Sequence, residues 1–243
     1  MTKSKAIILA AGKGTRMESD LPKVLVQAKG RALVEYVLDA VEAAGVDESI
    51  VVVGYKSDLV RTSLAHRQNI TFVEQTEQLG TGHAVQVCEG ELDGFDGAVL
   101  VVTGDSPMTQ SDSLKALLDL YNQSKPACVL GTLEKEDPTG MGRIVRDNQG
   151  DFVGIVEHKD ASPQELQIRE VNMSTYVFDC QPLLASLKQL KNNNNQGEFY
   201  ITDCPGIMKQ QGLNVQALPV LKPCEALSVN NLADLARVES ELG

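Results

Sequence analysis

No apolar run in the 243-residue chain approaches 18 residues, so no membrane span is expected. The opening MTKSKAIILAAGKG starts basic, but its apolar patch is brief and broken by glycines, which argues against a secretory signal peptide. The five cysteines (Cys88, Cys128, Cys180, Cys204, Cys224) are odd in number, far apart and without a CxxC pair. That pattern excludes a disulfide framework or a zinc site and reads as reduced, structural thiols of a cytoplasmic protein. Positive charge is also in short supply: 22 Lys and Arg stand against 33 Asp and Glu, a net charge of −11. A general nucleic-acid surface needs net cationic patches, so no nucleic-acid partner is expected. Neither internal repeats nor a convincing linker interrupts the chain.

The composition is otherwise that of an ordinary globular protein able to bury a core, with 42% hydrophobic and 23% charged residues. The charge is unevenly spread. Residues 1–31 hold seven cations (Lys3, Lys5, Lys13, Arg16, Lys23, Lys29, Arg31) against Glu18 and Asp20, a local +5 that leaves −16 for the remainder. Several of these cations fall in LAAGKGTRMESDLPK, Leu9 to Lys23, directly after the apolar run Ala6 to Leu9. A positive segment in an acidic protein suggests a small polyanion bound locally. A solvated basic terminus would explain Lys3 and Lys5 better than residues 12–23.

Through the first half, short β-rich runs alternate with helical periodicity. AIILAA, SIVVVGY, ITFVEQ, GAVLVVTGD and ACVLGTLEK read as strands. ALVEYVLDAVEAAG, a polar stretch ending near Ala65, TGHAVQVCEGEL and SDSLKALLDLYNQS read as helices. This alternation predicts an α/β fold, a mostly parallel sheet covered by helices on both faces. Ligands of such sheets sit beyond the carboxyl ends of the strands, where the glycine-bearing segments after AIILAA and at the end of GAVLVVTGD fall. From about residue 136 the texture changes. RIVRDNQGDFVGIVEHKD reads as a hairpin turning at Asn148-Gln149-Gly150, and REVNMSTYVFDC as a further strand. NNNNQGEFYITD reads as a loop feeding a helix with Pro205 near its start, and NNLADLARVESEL as a half-buried terminal helix. One α/β domain is expected over 1–243, with a first part (1–135), a substrate-binding insertion (136–228) and a C-terminal helix (229–243).

Small residues leaving a strand let backbone N–H groups approach phosphate oxygens closely, and Gly12 and Gly14 fit that role. Lys13 and Arg16 add charge. At roughly 4 Å and an effective dielectric near 20, each cation–phosphate pair gains on the order of 4 kcal/mol before desolvation. Neither the Walker pattern nor the dinucleotide fingerprint is present, since Gly12-Lys13-Gly14-Thr15-Arg16-Met17 lacks a third glycine. On these residues alone, a phosphate loop and a plain glycine turn both remain open.

The run LAAGKGTRMESDLPK closely resembles the signature loop of the sugar-nucleotide pyrophosphorylases, LAAGxGTRM…PK. FVEQTEQLGTGHA, VTGDSPM, PTGMGRIVR, IVEHKDA, EVNMSTYVF, NQGEFYITD and SVNN follow in family order and spacing. Over nearly its whole length the chain resembles the uridylyltransferase domain of the bacterial N-acetylglucosamine-1-phosphate uridyltransferases. The resemblance implies a nucleotide-diphospho-sugar transferase fold, Rossmann-like, with 1–135 as the nucleotide-binding part and 136–228 as a hairpin-rich sugar-binding part. It also implies transfer of a uridylyl group from UTP to N-acetylglucosamine 1-phosphate with release of pyrophosphate. Leu9, Ala10, Ala11, Gly12, Lys13 and Gly14 would cradle the nucleotide. Arg16 would act on the leaving pyrophosphate and Lys23 near the α-phosphate, the two catalytic candidates. Thr103 and Gly104 would also border the nucleotide.

Gln75 and the Gly80-Thr81 turn resemble the uracil-reading elements. A glutamine amide matches uracil's N3–H and O4, yet a flipped amide serves cytosine equally well. Thr81 would also make a good N-cap for a helix starting near His83. No chemical role is expected of His83 itself. Asp105 and Asn230 match the family's two metal ligands, implying Mg2+. Gly140, Glu157 and Asn172 match its sugar-contacting positions, although Glu157 could instead pair with Lys159 or Arg143.

The family usually has tyrosine where Thr103 stands, and Asn-Thr-Gly where this chain has Asn172-Met173-Ser174. The family protein continues into a left-handed β-helix acetyltransferase that trimerises it. The last segment here resembles the connecting helix, so acetyl transfer is not expected of this chain, and a monomer or weak dimer is. The alternatives are a transferase for another nucleotide or another sugar 1-phosphate, or a non-catalytic sugar-nucleotide sensor.

Overall fold

The computed structural model describes residues 3–14 and 20–242. In chain order the elements are β1 (Ser4–Ala10), a short hairpin of β2 (Gln27–Ala28) and β3 (Arg31–Ala32), α1 (Leu33–Ala43), β4 (Glu48–Val53), α2 (Ser57–Ser63) and β5 (Ile70–Glu74). Next come α3 (Thr81–Gln86), α4 (Glu89–Leu92), β6 (Ala98–Thr103), α5 (Ser111–Ser124) and β7 (Cys128–Glu134). The hairpin of β8 (Arg143–Arg146) and β9 (Phe152–Val156) leads to β10 (Glu170–Asp179), α6 (Cys180–Leu187), α7 (Asp203–Gln210), β11 (Val215–Leu218) and α8 (Leu232–Glu241).

The main sheet runs β11-β7-β10-β6-β1-β4-β5, with β8 and β9 attached beside β10. Along that path only β10 is antiparallel to its neighbours. The near-continuous apolar runs IILA, IVVV and AVLVV follow from burial on both sides of a parallel sheet. Ile7, Ile50, Val52, Val99 and Val101 point to one face, where Ala84, Val85, Leu183 and Met208 from α3, α6 and α7 cover them. Ala6, Ile8, Val51, Val53, Leu100 and Val102 point to the other, beneath Val34, Val37, Leu114 and Leu117 of α1 and α5.

Register places the site. Leu9 pairs with Thr103 and with Val52, and Val53 pairs with Glu74. The carboxyl ends of β6, β1, β4 and β5 therefore stand level, and the residues just beyond them share one edge. That is where a parallel α/β sheet opens to ligands.

Two features depart from the sequence reading. TGHAVQVCEGEL is two short helices, α3 and α4, because bonds from Cys88 N to Val85 O and from Glu91 N to Cys88 O, each 3.0 Å, tighten the chain around the buried Cys88. The β2–β3 hairpin, α6 and β11 had no sequence signal strong enough to announce them. α6 continues directly from β10 with no turn residue between them, and β11 is a four-residue edge strand. Among the described residues no helix is long and apolar enough to cross a membrane.

Candidate active site

Beyond β1 the chain turns through Ala11 to Gly14. The Ala11 carbonyl accepts from Tyr55 N at 3.1 Å and from Gln78 Nε2 at 2.9 Å, and the Leu9 carbonyl accepts from Gly104 N at 2.9 Å. These bonds fix the loop against the ends of β4, β5 and β6. Gly14 has φ +67°, and a Cβ there would stand 2.7 Å from Lys23 Cβ, so glycine is what lets Lys23 lie against the loop. Lys13 Nζ lies 5.3 Å from the Tyr55 ring centroid, a cation–π contact beside the same loop. Arg16 lies outside the described residues.

Lys23 opens a short 3-10 turn, Lys23–Leu25, whose Val24 and Leu25 are buried. Its ammonium sits 2.5 Å from Asp105 Oδ2 and donates to Asn230 Oδ1 at 2.8 Å. Three predicted residues, more than 200 positions apart in sequence at the extremes, thus meet at one point. Val229 N donates to Asp105 O at 3.4 Å, joining the two segments. Asn230 is itself held: Asp234 Oδ2 accepts from its backbone N at 3.1 Å, and its Nδ2 donates to Ser228 Oγ at 3.0 Å. Asn231 caps α8 by accepting from Asp234 N at 2.9 Å. The roles of Ser228 and Asp234 were missed in the sequence, although the Asn231–Asp234 spacing is a readable N-cap signal.

One carboxylate and one amide oxygen converge here on a single cation. That donor set suits Mg2+, which is commonly bound through one or two protein oxygens with the remaining ligands from substrate phosphates and water. Among the described residues no group of three or more His, Cys, Asp or Glu side chains could hold a metal.

A cleft of about 300 Å³ opens beside this point, lined by Leu9, Ala11, Gly12, Lys23, Gln75, Gln78, Gly80, Thr81, Thr103, Asp105 and Glu198, among others. Gln75, just beyond β5, is 4% exposed and donates from Nε2 to Gly80 O at 3.1 Å; the same Nε2 lies 3.1 Å from His83 Nδ1. Helix α3 begins at Thr81 with Gly80 at its N-cap position. The Thr81 hydroxyl is not a cap: it accepts from Ile201 N at 3.1 Å. Phe199 N donates to Leu79 O at 2.8 Å and Gly82 N to Phe199 O at 2.7 Å, so the segment after the asparagine run is stitched to the Gly80 turn. That stitching brings in Gln78 and Glu198, which the motif reading had left unassigned. The Thr103 hydroxyl bonds the Ser106 hydroxyl at 2.8 Å.

The three sugar candidates lie on the β8–β9–β10 side. Gly140 has φ +80° in the turn before β8, Glu157 directly follows β9, and Asn172 lies in β10 with its backbone N donating to Gly142 O at 2.9 Å. The Glu157 carboxylate is within reach of the same Gly142. It pairs with neither rival cation: Lys159 donates to Gln196 Oε1 at 2.6 Å, and the buried Arg143 donates to Met141 O. Burial pushes the Glu157 carboxyl above the ordinary range, opposed by the neighbouring Thr202 hydroxyl and reinforced by Asp160, Asp203 and Glu198. The β10 pairing with β7 breaks between Asn172 and Tyr176, and in this bulge Ser174 takes φ +52° while its N donates to Asn172 Oδ1 at 3.2 Å. Serine, not glycine, bears the left-handed conformation here.

The chain is similar to known proteins over nearly its whole length. The chain is 47% identical over 235 residues to the bifunctional protein GlmU of Streptococcus gordonii, a match covering 97% of this chain and 51% of that protein. It is equally similar, at 47% over 235 residues, to the GlmU of Streptococcus sanguinis. The chain spans about half the length of the curated relatives it matches. Among solved structures, UDP-glucose pyrophosphorylase complexed with UDP-glucose superposes with a TM-score of 0.79 at 17% identity, covering 100% of this chain and 98% of that one, a likeness of fold. A family model described as the MobA-like NTP transferase domain matches residues 6–199, and the chain belongs to that family.

Proposed function

We propose that this chain transfers a uridylyl group from UTP to N-acetylglucosamine 1-phosphate, releasing pyrophosphate. The observation that carries the reading is the meeting of Lys23, Asp105 and Asn230 beside the glycine loop, at the edge where the sheet opens. Similarity to the GlmU proteins over 97% of the chain supports the same reaction class. A non-catalytic sugar-nucleotide sensor could keep this fold while losing Arg16, Lys23, Asp105 or Asn230, and all four are present.

An oxygen of the sugar phosphate attacks the α-phosphorus of UTP, one P–O bond forms, and the bond to the β-phosphate bridging oxygen breaks. The attacking oxygen is already ionised and the leaving pyrophosphate is stable as an anion, so no side chain has to move a proton. Catalysis rests on alignment and on cations where charge builds up. The Leu9–Gly14 backbone would cradle the nucleotide, with Lys13 beside it. Lys23, released from Asp105 and Asn230, would turn to the α-phosphate, while Arg16 would meet the leaving pyrophosphate. Thr103 and Gly104 would border the nucleotide, and Gln75, Gly80 and Thr81 would read the base. Gly140, Glu157 and Asn172 would bind the sugar, Glu157 as an acceptor for a hydroxyl or amide N–H. Asp105 and Asn230 would hold Mg2+, which supplies charge neutralisation and a template for the phosphates.

The test is pyrophosphate release from UTP and Mg2+ with N-acetylglucosamine, glucose or N-acetylgalactosamine 1-phosphate, with Asp105→Ala as control. The expected result is greatest turnover with the N-acetylglucosamine compound and loss of at least about a hundredfold in the control. Turnover best with another sugar would transfer the reading to that acceptor. Tight UTP binding without turnover on any sugar would overturn catalysis.

A further inference from the structure

We propose that His83 is a positioning residue: together with the Gly80 carbonyl it holds the Gln75 amide in the one orientation that presents an acceptor to the nucleotide base. The proposal rests on the uridylyl reading for the identity of the base, but its geometry stands on the free protein.

A glutamine amide presents a donor end and an acceptor end, and which faces a ligand depends on what holds the other. Gln75 Nε2 lies 3.1 Å from Gly80 O and 3.1 Å from His83 Nδ1. The Gly80 carbonyl can only accept. It already takes the first helical bond, from Ala84 N at 3.1 Å, and its second lone pair meets Gln75. An oxygen in place of Nε2 would face that carbonyl, so the nitrogen belongs there. Once this is fixed, His83 Nδ1 must accept the second N–H, which makes the imidazole the neutral Nε2–H tautomer.

Both donors of Gln75 are then spent on the protein. No described residue bonds its Oε1, and Oε1 is not among the atoms sealed off without a partner. Since Gln75 lines the cleft, the group it offers there is an acceptor. Uracil meets an acceptor with N3–H, whereas cytosine offers a lone pair at the same ring position. The ambiguity left by the bare sequence, in which a flipped amide serves either base, is removed by these two neighbours.

The local fold explains why both acceptors reach one amide. Gly80 and His83 are three positions apart at the start of α3 and therefore share a face of its first turn. Gln75 is brought against that face because its backbone N donates to Val53 O at 2.8 Å, prolonging the β4–β5 pairing by one residue. His83 is not part of the cleft wall, so its influence on the base passes through Gln75.

Two measurements test this. In the free protein, 15N-edited NMR of the histidine ring reads the tautomer directly, and the expected result is Nε2–H for His83. Calorimetric binding of UTP and CTP to wild type, His83→Leu and His83→Asn then reads selectivity. Loss of one buried hydrogen bond predicts that the UTP-to-CTP affinity ratio falls about tenfold in His83→Leu, with the Gly80 carbonyl preserving the rest. Asparagine places an acceptor near the Nδ1 position and should restore most of the ratio, while KM for the sugar phosphate stays unchanged in both variants. An Nδ1–H tautomer, or a leucine variant with the wild-type ratio, would overturn the assignment to His83 alone. A wild type that does not prefer UTP would overturn the uridylyl reading and the selectivity drawn from it together.

Discussion

Gly80→Ala is the substitution with the most directly computable consequence. Gly80 lies at φ +107° and ψ 177°, backbone space open essentially only to glycine. A Cβ built there would stand 2.6 Å from the Phe199 carbonyl oxygen and 2.8 Å from Glu198 Cβ. The carbonyl cannot move away freely, because it accepts from Gly82 N at 2.7 Å. Backbone strain of about 1–3 kcal/mol adds to overpacking of about 1–3 kcal/mol, for a central value near 4 kcal/mol. For a domain of this size that lowers the melting temperature by roughly 8–16 °C. Relief of the clash must push the 198–199 segment away or rotate the Gly80 carbonyl off Gln75, so UTP affinity should fall as well. Thermal denaturation and UTP calorimetry check both. Gly12→Ala serves as the contrast, because a Cβ there meets nothing within 4 Å. Its melting temperature should stay near wild type while UTP binding weakens through crowding of the phosphate path. A Gly80→Ala protein melting within about 2 °C of wild type would refute the reasoning, since the strain alone exceeds that.

Glu157 carries a carboxyl raised by burial, so the folded protein holds its proton more tightly than the unfolded chain does, and stability falls as pH rises above the ordinary carboxylate value. Glu157→Gln should therefore raise the melting temperature at pH 7 but not at pH 4, while raising KM for the sugar phosphate; a uniform shift at both pH values would contradict this. Glu170 shows the opposite sign. Burial alone would raise its carboxyl, but Arg146, bonded at 2.7 Å through Nε and again through Nη2, together with Thr132, holds it below the usual value. Its contribution is present above the ordinary carboxylate pKa and is lost as pH falls through the depressed one. Arg146→Gln should therefore cost about 1–2 kcal/mol near neutral pH, discounted for partial exposure, and the deficit should shrink in acid denaturation. Ser174→Gly removes a left-handed serine at φ +52°. Relief of about 1–2 kcal/mol against glycine's larger unfolded-state entropy of about 0.5–1 kcal/mol predicts a melting temperature equal to wild type or a few degrees higher. A clear loss in a thermal melt would show that the serine hydroxyl bonds something essential.

The order of strands and helices was legible in the first half of the sequence because hydrophobic period is a local property. Runs such as IVVV and AVLVV, short and rich in β-branched valine, read as strands buried on both faces, and the periodic apolar positions of 33–41 read as one face of a helix. The glycine loop was legible as a candidate phosphate loop, while Asp105 and Asn230 became metal-ligand candidates only through their resemblance to the family's motifs, since a lone Gly-Asp turn carries no such signal. What lay beyond the sequence depends on contacts between distant segments. The insertion of β10 between β6 and β7 is set by sheet pairing rather than by any local signal. The freedom of Glu157 from its neighbouring cations was decided by where Lys159 and Arg143 found other partners. The amide of Gln75 was ambiguous in the same way. The sequence determined that an amide stands just beyond β5, but only the tertiary structure, by placing a carbonyl and an imidazole nitrogen against one end of it, decided which end those neighbours hold.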